Sequence, residues 1–456
     1  MNSDLTVPLT CGSLHPNPAS QDFVKSHKFN KFKYKPILIG FMFKKHFGKF
    51  NENKKKAIIL ILLFGIISLL GDIIYEGARS VNGPFLNTLG ANAVIIGLVV
   101  GIGELLGYAI RLFSGYFSDK AKAHWFFTIL GYSLLITVPL LALSNYWQLA
   151  AVFIVLERIG KGLRSPARDT LVSHATKQVG TGFGFGISEF IDQIGATIGP
   201  LIFTLFFIYL GVAQKTAADY QRGYSLLWFP FVILIIILLI TFFKFKTPSD
   251  LEKTKNKIES SKISKVFWVY SFFAFVTTVG FINFAIVGYH LKINGIASDA
   301  QIPFLYAIAM SVDAIFGIIL GKIYDNMKIK HKNENAGLLI LFFVPILTAI
   351  LLPFIFSYNI ALILIAVFFW GVVMGSHETI MKAAIADLTS ISKRGTGYGI
   401  FNVIYGLALF FGSVFSGYLY EISITLMIAS LVCIEILSIA LFFVLKKSIK
   451  NSNSLK

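Results

Sequence analysis

The stretch AIILILLFGIISLLGDIIY, residues 57–75, decides the class of fold that this chain adopts. It is an almost unbroken apolar run, close to the roughly 20 residues that an α-helix needs to cross a bilayer core. Eleven further runs of this kind follow along the sequence. Spanning helices satisfy their own backbone hydrogen bonds, and the alternating segments of a β-barrel are missing from the sequence. The chain is therefore predicted to be an all-α membrane protein with twelve transmembrane helices.

The composition also favours a membrane-embedded chain. Hydrophobic residues make up 55% of the 456 positions, charged residues make up 14%, and the mean hydropathy is +0.73. An average soluble protein carries about 25% charged residues, so too few polar side chains remain here to cover a water-exposed surface. The net charge of +18 lies mainly in short loops, which indicates membrane orientation and not a nucleic-acid partner. Cys11 and Cys433 form no pattern typical of a disulfide framework or a metal site.

The apolar runs are predicted to form two six-helix bundles, one at 57–243 and one at 266–445. A Lys-rich stretch at 244–265 separates them and is predicted to be a cytoplasmic linker. Cytoplasmic tails at 1–56 and 446–456 are predicted to flank the bundles.

The first tail is basic from Lys25 to Lys56, with phenylalanines between the lysines. This pattern is typical either of a solvated, disordered tail or of a segment that lies on anionic lipid headgroups. Met42 lies inside the tail and is an alternative start of the chain.

The positions of Lys and Arg orient the predicted helices. With the N-terminus in the cytoplasm, the few basic residues outside the cytoplasmic tails and loops are Arg79, Lys215, Arg222 and Lys292 in outer loops and Arg111, Arg158 and Lys161 in spans. The rest of the 41 basic residues lie on the cytoplasmic side, as the positive-inside rule requires. If one helix were omitted, every later loop would move to the opposite side of the membrane and the bias would be lost. The bias therefore also supports a count of twelve helices.

The two halves share short sequence matches at corresponding positions. The loop GYFSDK at 115–120 matches GKIYDN at 321–326, and the run GTGFG at 180–184 matches GTGYG at 395–399. Parallel six-helix repeats related by an axis along the membrane normal are one known transporter architecture. The matches predict two pseudo-symmetric bundles, with a solute site near the membrane midplane between them.

Three of these features resemble the major facilitator superfamily (MFS). The loop from Gly115 to Lys120 is similar to its signature loop, and Arg158 with Gly162 is similar to its fourth-helix motif. The run GATIGP, from Gly195 through Gly199 to Pro200, is similar to the fifth-helix element of its antiporter branches. The resemblance implies an MFS fold, alternating-access transport, a preference for efflux, and a packing role for the residues of that fifth-helix run.

The resemblance also implies a cytoplasmic gate. The gate would consist of Gly115, Asp119, Lys120 and Arg168, with Arg164 as a further cation near Asp119. A carboxylate at the start of the eleventh helix, near Gly397, would be stabilised by about 0.3–1 kcal/mol by the helix dipole. Asp119 is therefore hypothesised to hold the halves together while the transporter faces outward.

Ionisable side chains inside the predicted spans indicate the solute path. Each costs at least about 2.5–3.5 kcal/mol on insertion scales and should face the bundle interior. The candidates for a substrate and proton pathway are Asp72, Glu76, Glu104, Arg111, Arg158, Glu189, Asp192, His377 and Glu378. Carboxylates removed from water can exchange protons at physiological pH, and Arg158 is expected to favour the charged form of a nearby acid.

Structural interpretations compete with this functional one. Glu157 and Lys161 have the i, i+4 spacing of a helix ion pair and are expected to be structural. His377 and Glu378 are adjacent, point about 100° apart on a helix, and do not form a chelating pair. A buried, hydrogen-bonded role is expected for His377, and no metal or cofactor is expected.

The sequence thus predicts a monomeric, proton-coupled secondary transporter of a small solute in the cell membrane, with both termini in the cytoplasm. The alternative is a transporter-fold sensor or lipid-handling protein without solute flux. The long basic tail is the feature that favours this alternative. An enzyme is not expected, because no span carries a nucleophile with a paired base. Deletion of residues 1–56 separates the first two possibilities, since a transporter core should keep its activity.

Overall fold

The computed structural model describes residues 52–179, 181–211, 214–245, 264–331, 336–389 and 394–453. Most of the predicted first tail, with Met42, and most of the predicted linker lie outside these ranges, as does Gly180. In the described ranges all regular secondary structure is helical, as the sequence predicts.

Twelve helices follow one another through the described ranges; three of them are interrupted, and α9 begins as a 3-10 helix over Ala336–Phe342. The first half contains α1 (Glu52–Thr88), α2 (Ala93–Lys120), α3 (His124–Leu143), α4 (Trp147–Val179), α5 (Thr181–Tyr209) and α6 (Ala217–Lys244). The second half contains α7 (Lys265–Ile293), α8 (Gln301–His331), α9 (Ala336–Ile355), α10 (Ile360–Leu388), α11 (Arg394–Ile422) and α12 (Ile424–Asn453). Short 3-10 turns interrupt α3, and breaks divide α6 and α7.

Eleven of these helices are long and apolar enough to cross a membrane. The exception is α4, whose 33 residues include Glu157, Arg158, Lys161 and Arg164 within two turns. This helix is nevertheless long enough to span, and it packs against α2 and α3 in the interior of the bundle. Its charges therefore face protein and not lipid.

Two bounds differ from the predicted ones. Helix α1 begins at Glu52, so it extends into the last residues of the predicted first tail. Helix α12 continues past Leu445 to Asn453, so the described part of the predicted last tail is helical. Charged side chains near a helix end can extend to the membrane interface while the backbone stays helical. Hydropathy alone therefore predicts the ends of such helices poorly.

The halves meet along helix pairs that a two-fold axis would exchange. Helix α2 packs on α11, α5 packs on α8, and α1 packs on the second part of α7. If α1 corresponds to α7, α2 to α8 and α5 to α11, the first two contacts map onto each other and the third maps onto itself. The arrangement is that of two pseudo-symmetric six-helix bundles.

Glycines allow the helices to cross closely. At the α1–α7 crossing, a Cβ atom on Gly83 would lie 2.8 Å from the carbonyl carbon of Ala285. At the α1–α5 crossing, a Cβ on Gly199 would lie 2.5 Å from the carbonyl oxygen of Ile73, and Gly195 packs on α1 in the same way. Small residues at these positions let two backbones approach.

The break in α7 shapes the space between the halves. The first part ends at Gly280, and the second begins at Phe284 with an N-cap in which Asn283 accepts a hydrogen bond from the Ala285 N–H at 2.9 Å. The freed carbonyl of Ile282 accepts a hydrogen bond from the indole of Trp370 at 3.0 Å. This discontinuity turns aromatic side chains towards the interior.

Candidate functional site

An ion-pair network occupies the centre of the first half. Arg79 donates to Glu76 at 3.0 Å and to Glu104 at 3.0 Å. The Nε of Arg158 lies 3.6 Å from Glu104 and 3.4 Å from Glu157. All five side chains are largely buried, so the network compensates charges that would be costly alone in a membrane.

Two glycines give Arg158 its position. A Cβ on Gly103 would lie 3.0 Å from Cγ of Arg158, and a Cβ on Gly107 would lie 3.1 Å from its carbonyl oxygen. Because these glycines leave a groove on α2, α4 approaches closely and the guanidinium group reaches Glu104. The glycines on both sides of Glu104 thus explain how α4 comes close enough for Arg158 to contact it.

The network also joins the two halves. The hydroxyl group of Tyr306 on α8 donates to Glu76 on α1 at 2.6 Å. Tyr306 is almost completely buried, together with the Glu76 carboxylate. Any relative movement of the halves at this depth must break or carry along this hydrogen bond.

Two adjoining cavities lie between the halves. The Arg79 cavity is lined by residues including Arg79, Glu104, Tyr108, Arg111, Arg158, Lys161, Phe281, Phe284, Tyr306, Trp370, Glu378 and Tyr405. The Asp192 cavity is lined by residues including Asp72, Glu76, Arg111, Lys161, Arg164, Arg168, Asp169, Glu189, Asp192, Asp313, Glu378 and Lys382. Charged side chains from both halves therefore converge on the space between them.

The Asp192 cavity gathers carboxylates from both halves. Arg168 lies 3.6 Å from Asp192 and donates to Ser68 at 2.7 Å. Asp72 and Asp313 face the same space, and neither has an ion-pair partner within 4.0 Å among the described residues. The cavity therefore holds acidic groups from both halves of the bundle.

Among the described residues, polar contacts between the halves close the cavities at one end. At the predicted outer end, defined by the described loop residues 89–92, 210–211, 214–216 and 294–300, Asp299 accepts hydrogen bonds from the Lys215 N–H at 2.5 Å and from the Tyr220 hydroxyl. At the opposite, predicted cytoplasmic end, Asp169 and Glu189 line the Asp192 cavity and are exposed.

The predicted gate residues do not form one cluster. Asp119 lies 3.8 Å from His124, and its side chain is 70% exposed. Lys120 lies over the ring of Tyr116, and Gly115 packs near Pro166. Arg168 contacts Asp192, as described above, and not Asp119. The hypothesised role of Asp119 in the outward-facing state stays a prediction.

Three expectations about single side chains were wrong. Arg79 lies within α1 and in the ion-pair network, because Glu76 and Glu104 draw it inward from the outer interface. Glu157 contacts Arg158 and Arg164, while Lys161 lies 4.0 Å from the ring of Tyr75. Arg164 is buried, lies 4.0 Å from Glu157 and packs on the ring of Tyr132, and it forms no ion pair with Asp119.

His377 is buried, as expected for a structural residue. Its Nδ1 lies 3.1 Å from the hydroxyl group of Tyr405, whose ring packs on Tyr108 across the two halves. The structure shows no cluster of His, Cys, Asp and Glu that could hold a metal ion among the described residues. The neighbouring Glu378 lines both cavities, and its role in a solute pathway stays a prediction.

Two buried polar residues were not predicted from the sequence. Glu435 on α12 is fully buried and accepts a hydrogen bond from Thr277 at 3.1 Å. It is the acidic residue in the interior of the last apolar run, and this signal could have revealed it. Tyr306 joins the halves, but nothing in its local sequence distinguishes it from other span tyrosines.

Twelve helices in two related bundles, with charged cavities between them, define the class of membrane proteins that carry solutes. Residues 61–378 and 336–456 match the family model of the Major Facilitator Superfamily. The chain belongs to this superfamily and is a membrane transporter, not an enzyme.

Relatives and solved structures agree with this assignment. The chain is 32% identical to the uncharacterised protein Rv2265 of Mycobacterium tuberculosis, over 85% of this chain and 92% of that protein. It is 27% identical to the uncharacterised MFS-type transporter MJ1317 of Methanocaldococcus jannaschii, over 82% of this chain and 92% of that protein.

Among solved structures, a bacterial homologue of the human lysosomal transporter Spinster, in an inward-facing and occupied conformation, is similar in fold. The TM-score is 0.65 at 14% identity, over 86% of this chain and 97% of that chain. The nucleoside transporter NupG gives a TM-score of 0.60 at 14% identity, over 86% of this chain and 99% of that chain. At these identities the likeness concerns the fold alone.

Proposed function

We propose that this protein moves a small solute across the cell membrane by alternating access, driven by a proton gradient and in the direction of efflux. One observation carries the coupling: Asp72, Asp192 and Asp313, from both halves, line one cavity that is closed at the predicted outer end. Carboxylates in such a place can take up and release protons as the cavity changes sides.

Asp192 and Arg168 form the proposed coupling pair. When Asp192 is ionised, Arg168 at 3.6 Å neutralises it. When Asp192 is protonated, Arg168 keeps its contacts with Ser68 and Asp169. Protonation of Asp192 therefore changes the net charge of the cavity while Arg168 keeps its position. A site that couples proton movement to transport needs such a change of charge.

The direction and topology rest on sequence patterns. The fifth-helix run from Gly195 to Pro200 resembles that of antiporters, which supports efflux. The Lys and Arg bias supports two cytoplasmic termini in the cell membrane. Closure at the predicted outer end then corresponds to an inward-facing monomer.

The test is flux in proteoliposomes that contain the full-length protein, with and without an imposed pH gradient, across a broad panel of solutes. We expect the gradient to drive accumulation, and we expect Asp72→Asn and Asp192→Asn to abolish that dependence while exchange without a gradient continues. Asp219→Asn is the matched control, because Asp219 caps α6 outside both cavities.

The outcomes separate the alternatives. Equal flux with and without the gradient would contradict proton coupling. A complete lack of flux across the panel would favour a transporter-fold sensor or lipid-handling protein instead. Deletion of residues 1–56 should leave the flux of a transporter core intact.

A further inference from the structure

The four cations of the Arg79 cavity are not equivalent. Arg79 and Arg158 are engaged by the carboxylates of the ion-pair network. The other two, Arg111 on α2 and Lys161 on α4, have no carboxylate within 4.0 Å among the described residues. These two are therefore the cations that remain available to a ligand.

Aromatic rings hold the two available cations in place. The guanidinium group of Arg111 lies 4.2 Å from the ring centre of Tyr108, and its buried Nε has no hydrogen-bond partner in the described part of the chain. The ammonium group of Lys161 lies 4.0 Å from the ring centre of Tyr75. A ring face orients a cation but does not neutralise it. A half-buried cation without a carboxylate partner favours the binding of an anionic group.

Arg111 and Lys161 also lie where the two cavities meet, since each lines both. Glu378, on the opposite half, is the acid that lines both cavities with them. Among the described residues no carboxylate, Glu378 included, lies within 4.0 Å of Arg111 or Lys161, so an anionic ligand between these cations would meet two charge-assisted donors. Its position at the junction would place it beside the acids of the Asp192 cavity.

The wall opposite these cations is aromatic. Phe281, Phe284, Tyr306 and Trp370 line the Arg79 cavity from the second half. The ring centres of Phe281 and Phe284 lie 5.2 and 5.8 Å from that of Trp370. Such a wall binds an apolar or aromatic body and gives little to a small inorganic ion.

We infer that the transported solute is an organic anion with an aromatic or apolar body, whose anionic group binds between Arg111 and Lys161 and whose body packs on the wall around Trp370. The inference rests on the proposed transport function and names its substrate class. An anion here and exchangeable protons in the neighbouring cavity would let charge be balanced as the solute moves.

The experiment measures ligand binding by the shift in Tm of the purified full-length protein. The probes are benzoate, benzamide, benzylamine and inorganic phosphate, which vary the charge and the apolar body separately. We expect benzoate to raise Tm at lower concentrations than the other three. The variants R111Q and K161Q should weaken benzoate binding about tenfold or more, since each removes one charge-assisted contact.

Two further variants serve as controls. R222Q removes an exposed arginine outside both cavities and should leave benzoate binding unchanged. R111K keeps the charge and should lose less than R111Q. If R111Q does not yield folded protein by size exclusion, K161Q decides.

Three results would overturn the inference: benzamide or benzylamine binding as tightly as benzoate, unchanged benzoate binding in R111Q and K161Q, or no Tm shift with benzoate. Phosphate binding as tightly as benzoate would overturn the aromatic body. Gradient-driven flux of a neutral or cationic solute would overturn the substrate class and leave the transport function standing. Benzoate binding without flux of any solute would overturn the transport function and leave the anion-binding site standing.

Discussion

The two ends of the bundle differ in how the halves are joined. At the predicted outer end, Asp299 of the second half accepts from the Lys215 N–H and the Tyr220 hydroxyl of the first, and Glu421 accepts from the Ala93 N–H at 2.8 Å. At the predicted cytoplasmic end, the signature-loop carboxylate of Asp119 contacts His124 of its own half. Buried polar contacts therefore join the halves at one end, while the Asp119 carboxylate at the other end makes its contact within one half.

The difference also shows where the halves can separate. The contacts of Asp299 are buried and tied by Lys292, whose ammonium group lies 2.5 Å from it. An exposed carboxylate such as Asp119 is surrounded by water and contributes little in its present position. Opening the outer end must break the contacts of Asp299, and under the hypothesis for Asp119 new contacts at the cytoplasmic end would compensate for that loss.

The largest expected effect comes from Gly83→Ala. The new Cβ would overlap the backbone of Ala285, so the outer end cannot close as it does here. Overpacking of this kind costs about 1–3 kcal/mol. We expect transport to fall about tenfold or more, and an impermeant maleimide to label Val100→Cys in the Arg79 cavity faster from outside.

The labelling background replaces Cys11 and Cys433 by serine. Gly395→Ala is the matched control, because a Cβ there meets nothing within 4 Å. A Gly83→Ala variant that labels and transports like this control would show that the α1–α7 crossing does not close the cavity.

Asp299→Asn should have a smaller effect of the same sign. The substitution removes the ion pair with Lys292 and weakens the contacts to the first half, at a cost of about 1 kcal/mol, because the amide oxygen of Asn can still accept a hydrogen bond. External labelling of Val100→Cys should rise about fivefold. Asp219→Asn lies at the same end but bonds only within its own half, and it should label like the unsubstituted protein. Equal rates in the two variants would contradict the role given to Asp299.

Asp119→Asn should change the present state least. Because the carboxylate is exposed, its loss should alter stability by less than about 0.5 kcal/mol and leave external labelling of Val100→Cys unchanged. If Asp119 holds the cytoplasmic end shut in the outward-facing state, transport should still fall, and a cysteine in the Asp192 cavity should become more accessible from the cytoplasm. Unchanged transport together with unchanged cytoplasmic accessibility would refute the hypothesis.

The fold followed from the sequence because apolar runs of membrane length and the Lys and Arg bias are long-range signals. Helix α4 shows the limit of hydropathy, since its charges make it the least apolar helix, yet the loop pattern required it. The candidate site was predicted only as a set of side chains. Glu76 and Arg79 share a helix face, so their pairing could be foreseen.

The pairings between helices could not be foreseen in the same way. Arg158 reaches Glu104 because of a glycine groove on α2, and Tyr306 reaches Glu76 across the halves. These contacts depend on how helices pack, which sequence spacing within one helix does not determine. The misassigned pair of Glu157 and Lys161 has the same origin, because tertiary partners replaced a local one.

The charged middle of α4 has a consequence for how the protein is made. A segment with four ionised side chains enters the lipid poorly by itself, but the acid that faces Arg158 from another helix lies on α2. That helix leaves the ribosome before α4 does. Glu104 is therefore synthesised before Arg158, and we expect the membrane insertion of α4 to depend on its contact with α2.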